Sequence, residues 1–387
     1  MTEPCPRTAQ LPLLYIWLMA AAVIMARHYL SLDGILLGDW HVVGRDFANI
    51  YSGAAAGAER DLSTLYDASL YQSALDARFG TKLEKNSFPY PPHAPLLMSP
   101  LGWLDYVPAL IVWTLGGVTV FAATCRLWVG RQWLWLAAAP AVVLCIWAGQ
   151  SGIWVGALLA LGLLILPKRP VLAGLLFAAI TFKPQFGPLL VIALLASGSW
   201  RAIMSASVAT LALVAASVLA FGVQPWTDFL AHTAPRMSAN IGGSLGIFDH
   251  MVHTPFKWVV NFGGGVGAAW ALQAVFMAAT AWLTFRLFRS DAEWATKCGG
   301  LMVMTFLFSP YIANYDMPVL MLGLLLLDRM DGREELSLWM LAAMSLPMIG
   351  MMASMLNVPL TVMALSAVLV VKLGHFAGLG ELRPARP

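Results

Sequence analysis

Long apolar runs, separated by short polar stretches, repeat along the whole chain. Several runs approach the ~20 residues that an α-helix needs to cross a bilayer, so the pattern predicts an all-α polytopic membrane protein. About twelve helices are expected, and they cover residues 11–29, 106–125, 133–149, 153–167, 171–182, 186–196, 202–222, 259–286, 297–313, 317–328, 336–355 and 359–373.

Two of these helices, 171–182 and 186–196, are too short to span a bilayer unaided. A helix of about eleven residues rises only about 16 Å, which is roughly half of the hydrocarbon core. Short helices of this kind are tolerated only where they line a cavity or pack within protein. The helices 297–313 and 317–328 flank a second break of this kind.

Composition and charge agree with an integral membrane protein. The chain is 59% hydrophobic and 11% charged, whereas soluble domains carry about 25% charged residues. The net charge of +3 gives no indication of a nucleic-acid partner. The cysteines lie far apart and form no CxxC or Cys/His cluster, so neither a disulfide framework nor a metal site is expected; they are Cys5, Cys125, Cys145 and Cys298.

The distribution of basic residues predicts the orientation. Lys and Arg gather in alternate short loops, which marks those loops as cytoplasmic, whereas the connections 150–152 and 356–358 hold none. Both termini are then cytoplasmic, and the two long loops, 30–105 and 223–258, face the periplasm of a bacterial inner membrane. We expect one membrane domain over residues 1–387, with juxtamembrane helices in the first of these loops.

The first long loop carries two helical patterns. Its leucines at Leu62, Leu65, Leu70 and Leu75 recur at near-helical spacing, which predicts an amphipathic helix lying on the membrane or on the bundle. The stretch "RDFANIYSGAAAGAER" predicts another helix, in which one face is shared by Phe47, Ile50, Tyr51 and Ala54.

Asp46 is the first candidate catalytic residue, since it lies at the predicted start of that second helix, close to the bilayer surface. A carboxylate there can face a cavity and accept a proton from a hydroxyl. The alternatives are a helix N-cap and a solvated partner for Arg45, its neighbour in the sequence.

Lys183 is the second candidate, because "FAAITFKPQFGPLL" embeds a lysine between two apolar half-helices. A charged residue at membrane depth is costly and usually faces a polar cavity, and an ammonium suits a phosphate as a point charge. The alternative is a lysine that extends to the outer interface. Gln185, in the same break, is a candidate substrate contact.

The other candidate substrate-binding side chains lie in three polar segments; they are Tyr90 and His93 in "YPPHAPLLMSP", Asn314, Tyr315 and Asp316 in "SPYIANYDMPVL", and Arg236, His250 and His253 in the loop 223–258. The first segment can also be a rigid turn with a packed histidine, and the second a polar turn. The third can form a lid over a polar substrate. Its HxxH pattern, with Asp249 nearby, lacks the Glu of a metalloprotease motif, so no metal is expected.

The chain resembles glycosyltransferase family 87, polyprenol-phosphate-mannose-dependent mannosyltransferase-like membrane proteins with the GT-C fold. The resemblance rests on "RDFANIYSGAAA" and "LYDASLY" in the first loop and on "FPYPPHAPLLMSPLGWL" before the second helix. "FKPQFGPLLVIALL" and "SPYIANYDMPVLML" follow in the family's order, so the resemblance covers most of the chain.

The resemblance implies a GT-C-like bundle that moves a hexose, mannose above all, from a polyprenyl phosphate sugar to a glycan or glycolipid acceptor at the outer face. Asp46 is then the general base of an inverting reaction, and Lys183, with Arg45 or Arg236, faces the donor phosphate. The family's third polar position, often histidine, falls within 314–316 here, which leaves the sugar and the linkage open. No cofactor is implied.

Three other functions remain open from the sequence. A secondary transporter also has broken helices near the midplane, although no internal repeat is found and the first loop is long. A polyprenyl phosphate pentose transferase of the arabinose type and a membrane assembly factor without catalytic activity fit the same pattern of helices.

Overall fold

A computed structural model shows the fold and describes residues 16–17, 19, 23, 32–37, 41–80, 82–83, 87–243, 246–331 and 336–377. The helix predicted over 11–29 lies mostly outside the described residues, and the four that are described there are helical. One of them, Trp17, donates a hydrogen bond of 2.9 Å from Nε1 to Ser345 Oγ. This contact joins the start of the chain to its C-terminal helices.

The fold is built almost entirely of helices. In the described part of the chain the α-helices are α1 (Phe47–Glu59), α2 (Ala68–Phe79), α3 (His93–Met98), α4 (Tyr106–Val129), α5 (Trp133–Ala137), α6 (Pro140–Ala148), α7 (Gly152–Ile165), α8 (Pro170–Ala179), α9 (Gly187–Ala196), α10 (Trp200–Phe221), α11 (Gln224–Asp228), α12 (Ala234–Gly242), α13 (Pro255–Asn261), α14 (Val266–Arg289), α15 (Trp294–Phe308), α16 (Pro318–Asp328), α17 (Leu338–Met344), α18 (Leu346–Met355) and α19 (Leu360–Leu373). Shorter 3₁₀ and π turns join several of them, among them Ile180–Phe182, Pro184–Phe186, Phe229–Thr233, Gly246–Met251 and Asn314–Asp316.

A small antiparallel sheet precedes α1. Its strands are β1 (Leu32–Asp33), β2 (Leu36–Leu37) and β3 (His41–Val42), which pair in chain order. Strands of two residues leave no alternation in the sequence, so the sheet was not predicted. It leads the chain directly into Asp46.

In the described part of the chain, three helical stretches are long and apolar enough to cross a membrane; they are Tyr106–Ala137, Trp200–Phe221 and Val266–Arg289. The pair α17 and α18, bent by 64°, is a fourth candidate, and the other apolar helices have 10–17 residues. The chain is a multi-pass membrane protein of the predicted helical class, whereas the predicted count of about twelve spans is not shown.

The break predicted around Lys183 is confirmed. Helix α8 gives way to α9 through two 3₁₀ turns on either side of this lysine. Pro184 disfavours helical backbone at the residue before it, and Lys183 has a φ of −118° and a ψ of 77°. The local sequence therefore fixes the break, and it places the ammonium group between two apolar half-helices.

Two predicted helices are divided in the structure. The helix predicted over 133–149 is two helices, α5 and α6, and the second begins at Pro140. The helix predicted over 336–355 is α17 and α18, with Pro347 in the first turn of the latter. Proline is favoured in the first turn of a helix and breaks a helix interior, which explains both divisions.

Two other predicted helices have different bounds. The helix predicted over 297–313 ends at Phe308, because Pro310 follows and cannot continue it. The helix predicted over 259–286 begins only at Val266, since three consecutive glycines precede that residue and favour non-helical backbone.

The first loop forms helices, as predicted, and these helices pack on one another. Its helix α1 is rich in glycine and alanine, so the segment that follows α2 can approach closely. A Cβ atom at Gly53 would lie 2.5 Å from Phe88 Cε2, and one at Gly57 would lie 2.3 Å from the carbonyl oxygen of Pro95. The small residues of "SGAAAGA" therefore bring α3 against α1.

The buried face of α2 differs from the predicted one. The helix buries Tyr71, Leu75 and Phe79, which are four residues apart, whereas Leu70 is 52% exposed. The prediction that Leu70 shares the apolar face is wrong, because aromatic residues at the helical spacing take that face instead.

Candidate active site

Asp46 lies at the N-terminus of α1, but its carboxylate does not cap this helix. Instead, Oδ2 of the half-buried Asp46 accepts a hydrogen bond of 2.9 Å from Nε2 of Gln150. By contrast, Asp67 at the start of α2 caps its helix by accepting bonds from the backbone N–H groups of Ser69 and Leu70. The structure thus distinguishes two aspartates in similar sequence positions, and only the second makes a helix cap.

Arg45 lies beside Asp46 on strained backbone. Its φ of 41° is in the left-handed region, which costs a non-glycine residue about 1–2 kcal/mol. Its guanidinium carbon lies 4.5 Å from the centroid of the Trp147 ring, near the end of α6. Strained residues of this kind cluster at functional sites, and Arg45 directly precedes the candidate base in the chain.

Lys183 forms a buried ion pair with Asp316. Nζ of Lys183 lies 2.5 Å from Oδ1 of Asp316, and the two side chains are 7% and 2% exposed. The ammonium also lies 5.4 Å from the centroid of the Tyr315 ring. The two helix breaks predicted from the sequence therefore meet, and each supplies one partner of a buried charge pair.

A four-residue turn from Gly149 to Gly152 lies between the Asp46 segment and the Asp316 segment. A Cβ atom at Gly149 would lie 2.5 Å from the carbonyl oxygen of Gly44, and one at Gly152 would lie 2.0 Å from that of Tyr315. Neither position has room for a side chain. The turn therefore holds the two acidic segments at a fixed separation.

The charges of Lys183, Asp46 and Asp316 all act on the buried phenol of Tyr90. Burial raises the pKa of the Tyr90 phenol. The charge of Lys183 lowers this pKa, and the charges of Asp46 and Asp316 raise it. The Tyr90 ring also contacts Phe182, next to Lys183, with a centroid separation of 5.9 Å. The sequence prediction that these segments share one site is consistent with this geometry.

His93 is buried beside the same break. Thr181 Oγ1 donates to the carbonyl oxygen of Ala178 at 2.6 Å, so His93 Nε2, at 3.1 Å, donates to this hydroxyl oxygen. Burial lowers the pKa of His93 to about 4, and its ring stacks on Trp226 at a centroid distance of 5.9 Å. His93 is thus a neutral histidine whose Nδ1 has no hydrogen-bond partner among the described residues.

Asn314 and Gln185 lie in the two breaks. Asn314 is fully buried, and its Nδ2 donates to the carbonyl oxygen of Pro347 at 3.3 Å. Its Oδ1 is buried without a hydrogen-bond partner in the described part of the chain. Gln185 is half-buried in the 3₁₀ turn after Lys183.

The second long loop covers the 309–316 break. Phe248 packs its ring 6.3 Å from that of Tyr311 and 6.5 Å from that of Tyr315. An isolated β-bridge pairs Val252 with Ala313. These contacts place the loop against the break, and its function as a lid stays a prediction.

His250 and His253, which follow Phe248 in this loop, both contact protein groups. His253 is buried, its Nε2 donates to the carbonyl oxygen of His250 at 3.0 Å, and burial lowers its pKa to about 4. Nδ1 of His250 lies 3.1 Å from Ser354 Oγ. His250 also lines a cavity of about 640 Å³ together with Asp249 and Asn261.

Arg236 lies on α12, near the start of α2. Hydrogen bonds from Ser69 and Leu70 lower the pKa of Asp67, and the charge of Arg236 lowers it further. The contacts of the structure thus connect Arg236 with Asp67, and they do not bring it to Lys183. No group of three or more His, Cys, Asp or Glu side chains in the described ranges is arranged to hold a metal ion.

Sequence reasoning missed Gln150. This residue and Ser151 are polar neighbours between two strongly apolar helices, in a connection that was predicted to face outward with Asp46. That placement is the signal that could have identified it. Chemically, the site offers a half-buried carboxylate, two cations from different segments and several buried hydroxyl and amide groups, which suits a polar, anionic ligand that reacts through a hydroxyl.

Comparison with known proteins gives one match. The sequence profile of glycosyltransferase family 87 matches residues 88–310, which is more than half of the chain. No curated protein and no solved structure matches. The matched range includes Tyr90, Gln150 and Lys183, whereas Asp46 and Asp316 lie outside it and are connected to it by the contacts described above.

Proposed function

Because the chain belongs to glycosyltransferase family 87, we propose that it transfers a hexose, mannose in the first instance, from a polyprenyl phosphate to a glycan or glycolipid acceptor. The proposal places the site at the periplasmic face of a bacterial inner membrane. Family membership favours a transferase over the transporter and the assembly factor. The observation that supports the proposal best is the convergence of Asp46, Arg45 and the Lys183–Asp316 pair on the segment from Trp147 to Gly152.

In the proposed reaction, Asp46 accepts the proton of the acceptor hydroxyl while that oxygen attacks C1 of the sugar. The new C1–O bond forms on the face opposite the phosphate, and the old C1–O bond breaks with its electron pair going to the phosphate oxygen. One carboxylate suffices, because inversion forms no covalent intermediate with the protein. The support for Asp46 as the base is that its carboxylate does not cap a helix.

The cations have separate tasks in this proposal. Asp316 balances the charge of Lys183 and fixes its ammonium in the helix break, where further N–H groups can donate to the leaving phosphate. Arg45 stacks on Trp147, and its planar guanidinium suits bidentate contact with phosphate oxygens. Together, Lys183 and Arg45 offset both carboxylates, so the site can accept an anionic donor. Arg236 has no part in this assignment because of its place beside Asp67.

The remaining polar groups can bind the sugars. The buried acceptor atoms of Asn314 and His93 that have no described partner would each gain a hydrogen bond from a sugar hydroxyl, since unpaired buried polar groups are costly. Tyr90, Gln185 and Tyr315 lie beside the same breaks. We assign His250 and His253 to the lid, where they hold the second loop to the C-terminal helices.

The experiment presents purified protein with a panel of polyprenyl phosphate sugars and a native membrane extract as the source of acceptor. Transfer of mannose with inversion at C1 supports the proposal. Transfer of arabinose alone contradicts the hexose assignment, and no transfer from any lipid phosphate sugar contradicts the donor class.

The role of Asp46 is tested by a matched pair of substitutions in the same assay. Asp46→Asn is nearly isosteric and cannot act as a base, so we expect turnover to fall by about 10²–10⁴. Asp67→Asn is the control, because an Asn still caps α2 and the residue lies outside the site. Near-normal turnover by Asp46→Asn would contradict the proposed mechanism.

A further inference from the structure

Gln150 makes hydrogen bonds through both ends of its side-chain amide. Nε2 donates to Oδ2 of Asp46 at 2.9 Å, and Oε1 accepts from the backbone N–H of Ser151 at 3.3 Å. A backbone N–H can only donate, so the oxygen of the amide must face Ser151 and its NH₂ group must face Asp46. The assignment of the amide is therefore fixed by its own surroundings.

The backbone that carries Gln150 is itself held in place. Its N–H donates to the carbonyl oxygen of Cys145 at 3.0 Å, and its carbonyl oxygen accepts from Cys145 Sγ at 3.1 Å. Gly149 and Gly152, on either side, lie so close to neighbouring backbone that neither position has room for a Cβ atom. The amide thus approaches Asp46 from a turn that cannot shift without displacing the 315–316 backbone.

We propose that Gln150 is the positioning residue of the catalytic base, holding the Asp46 carboxylate ionised and aimed at the acceptor hydroxyl. The inference rests on the proposed function of Asp46. A helix-capping bond would normally restrain an aspartate at this position, and Asp46 makes none. The amide of Gln150 supplies that restraint from a different segment, 104 residues further along the chain. Because its NH₂ group donates to the charged form, it also favours the ionised carboxylate.

Several titratable side chains of the described chain are coupled to Asp46, and Asp316 acts on three of the same phenols. The phenols on which the charge of Asp46 acts belong to Tyr90, Tyr106, Tyr311 and Tyr315. A free tyrosine phenol has a pKa near 10, well above the acid limb of the rate profile. The acid limb of the rate profile, between about pH 4 and 7, is assigned to Asp46 by its response to substitution of Gln150, because the described side-chain bonds of Gln150 go to Asp46 and to the N–H of Ser151, not to Asp316.

The test measures kcat and donor KM against pH, with polyprenyl phosphate mannose as donor and a native membrane extract as acceptor source. Gln150→Met keeps the length of the side chain and removes the donor, so we expect kcat to fall about tenfold or more. The acid limb should move to higher pH by about one unit, while the donor KM stays within about twofold. Gln150→Glu is a second, isosteric variant. It places a second carboxylate beside Asp46 and should therefore move the acid limb to still higher pH.

Gln72→Met is the matched control, because Gln72 Nε2 also donates to an aspartate, Asp76 Oδ1 at 2.8 Å, but on α2 outside the site. The control should leave both kcat and the acid limb unchanged. Reduced activity of both Gln150 variants with an unmoved limb would show a merely structural role and overturn the inference, as would unchanged activity. If Asp46→Asn keeps its turnover, the proposed function of Asp46 is contradicted. That result is separate from the two outcomes that would overturn the role of Gln150.

Discussion

At the scale of single residues, the buried pair of Lys183 and Asp316 decides how the site can be probed. Burying a charge is costly, and removing one partner of a buried pair leaves the other charge uncompensated. Lys183 was predicted from the sequence as a cation at a helix break, but its partner could not be predicted, because the two residues are 133 positions apart. A loss of activity in a Lys183 variant alone would therefore confuse phosphate binding with stability.

We expect Lys183→Met to lower stability by about 3–5 kcal/mol, because Asp316 is left buried and unpaired. The double variant Lys183→Met/Asp316→Leu should regain a melting temperature close to that of the original protein, yet bind polyprenyl phosphate mannose weakly. Thermal unfolding and equilibrium binding of the donor measure the two effects separately. Glu59→Gln is the control, since its ion pair with Arg78 is 3.7 Å long and largely exposed and should contribute ~0–1 kcal/mol. Normal donor affinity in the double variant would return Lys183 to a purely structural role.

At the scale of elements, the turn from Gly149 to Gly152 connects the two acidic segments. Its glycines allow the backbones to approach more closely than any side chain would permit. The turn also follows Trp147, on which Arg45 stacks. The turn itself therefore contacts Asp46 and the backbone of Tyr315 and Asp316, and it belongs to the range that matches the family.

Gly152→Ala should disturb this element without removing any functional group. Its Cβ would lie 2.0 Å from the carbonyl oxygen of Tyr315, so the backbone next to Asp316 must move. Overpacking of this kind costs about 1–3 kcal/mol, and we expect a lower melting temperature together with a marked loss of sugar transfer. Gly267→Ala is the control, because a Cβ at that helical position meets nothing within 4 Å. Equal behaviour of the two variants would contradict the role given to the turn.

The sequence predicts elements better than it predicts their partners. Proline and apolar length correctly predicted the break at Lys183, since both act locally. The division before Pro140 and the exposure of Leu70 were missed, because neighbouring helices decide which short segment continues and which face is buried. Asp46 was identified as a candidate from its place in the chain, whereas Gln150 became evident only from the hydrogen bond between them.

At the scale of the whole molecule, the residues of the site share one end of the bundle. Asp46, Gln150 and the two helix breaks come from segments that the charge distribution predicts to face outward. Their contacts in the structure are consistent with a common face. The prediction of which side of the membrane this face occupies rests on the distribution of basic residues alone.

Cysteine labelling tests the orientation. In a variant without the native cysteines, Lys82→Cys should react with a membrane-impermeant thiol reagent in intact cells, and Lys168→Cys should react only after permeabilisation. Both positions are exposed, so accessibility within the fold does not limit either reaction. Labelling of Lys168→Cys in intact cells would reverse the predicted orientation and place the site in the cytoplasm.

The Asp46–Gln150 and Lys183–Asp316 pairs join residues that are far apart in the sequence, and this separation sets the order in which the two pairs can form during synthesis. Chains emerge from the ribosome N-terminus first, at about 5–20 residues per second, so Asp46 can meet Gln150 well before Asp316 exists. Through that interval Lys183 has no counterion from the second break, and an uncompensated ammonium is expensive in lipid. We therefore expect the nascent chain to keep this segment hydrated, at the membrane surface or within the translocation machinery, until Asp316 has been made. Insertion of the α8–α9 hairpin is then a late event, even though its sequence is complete long before.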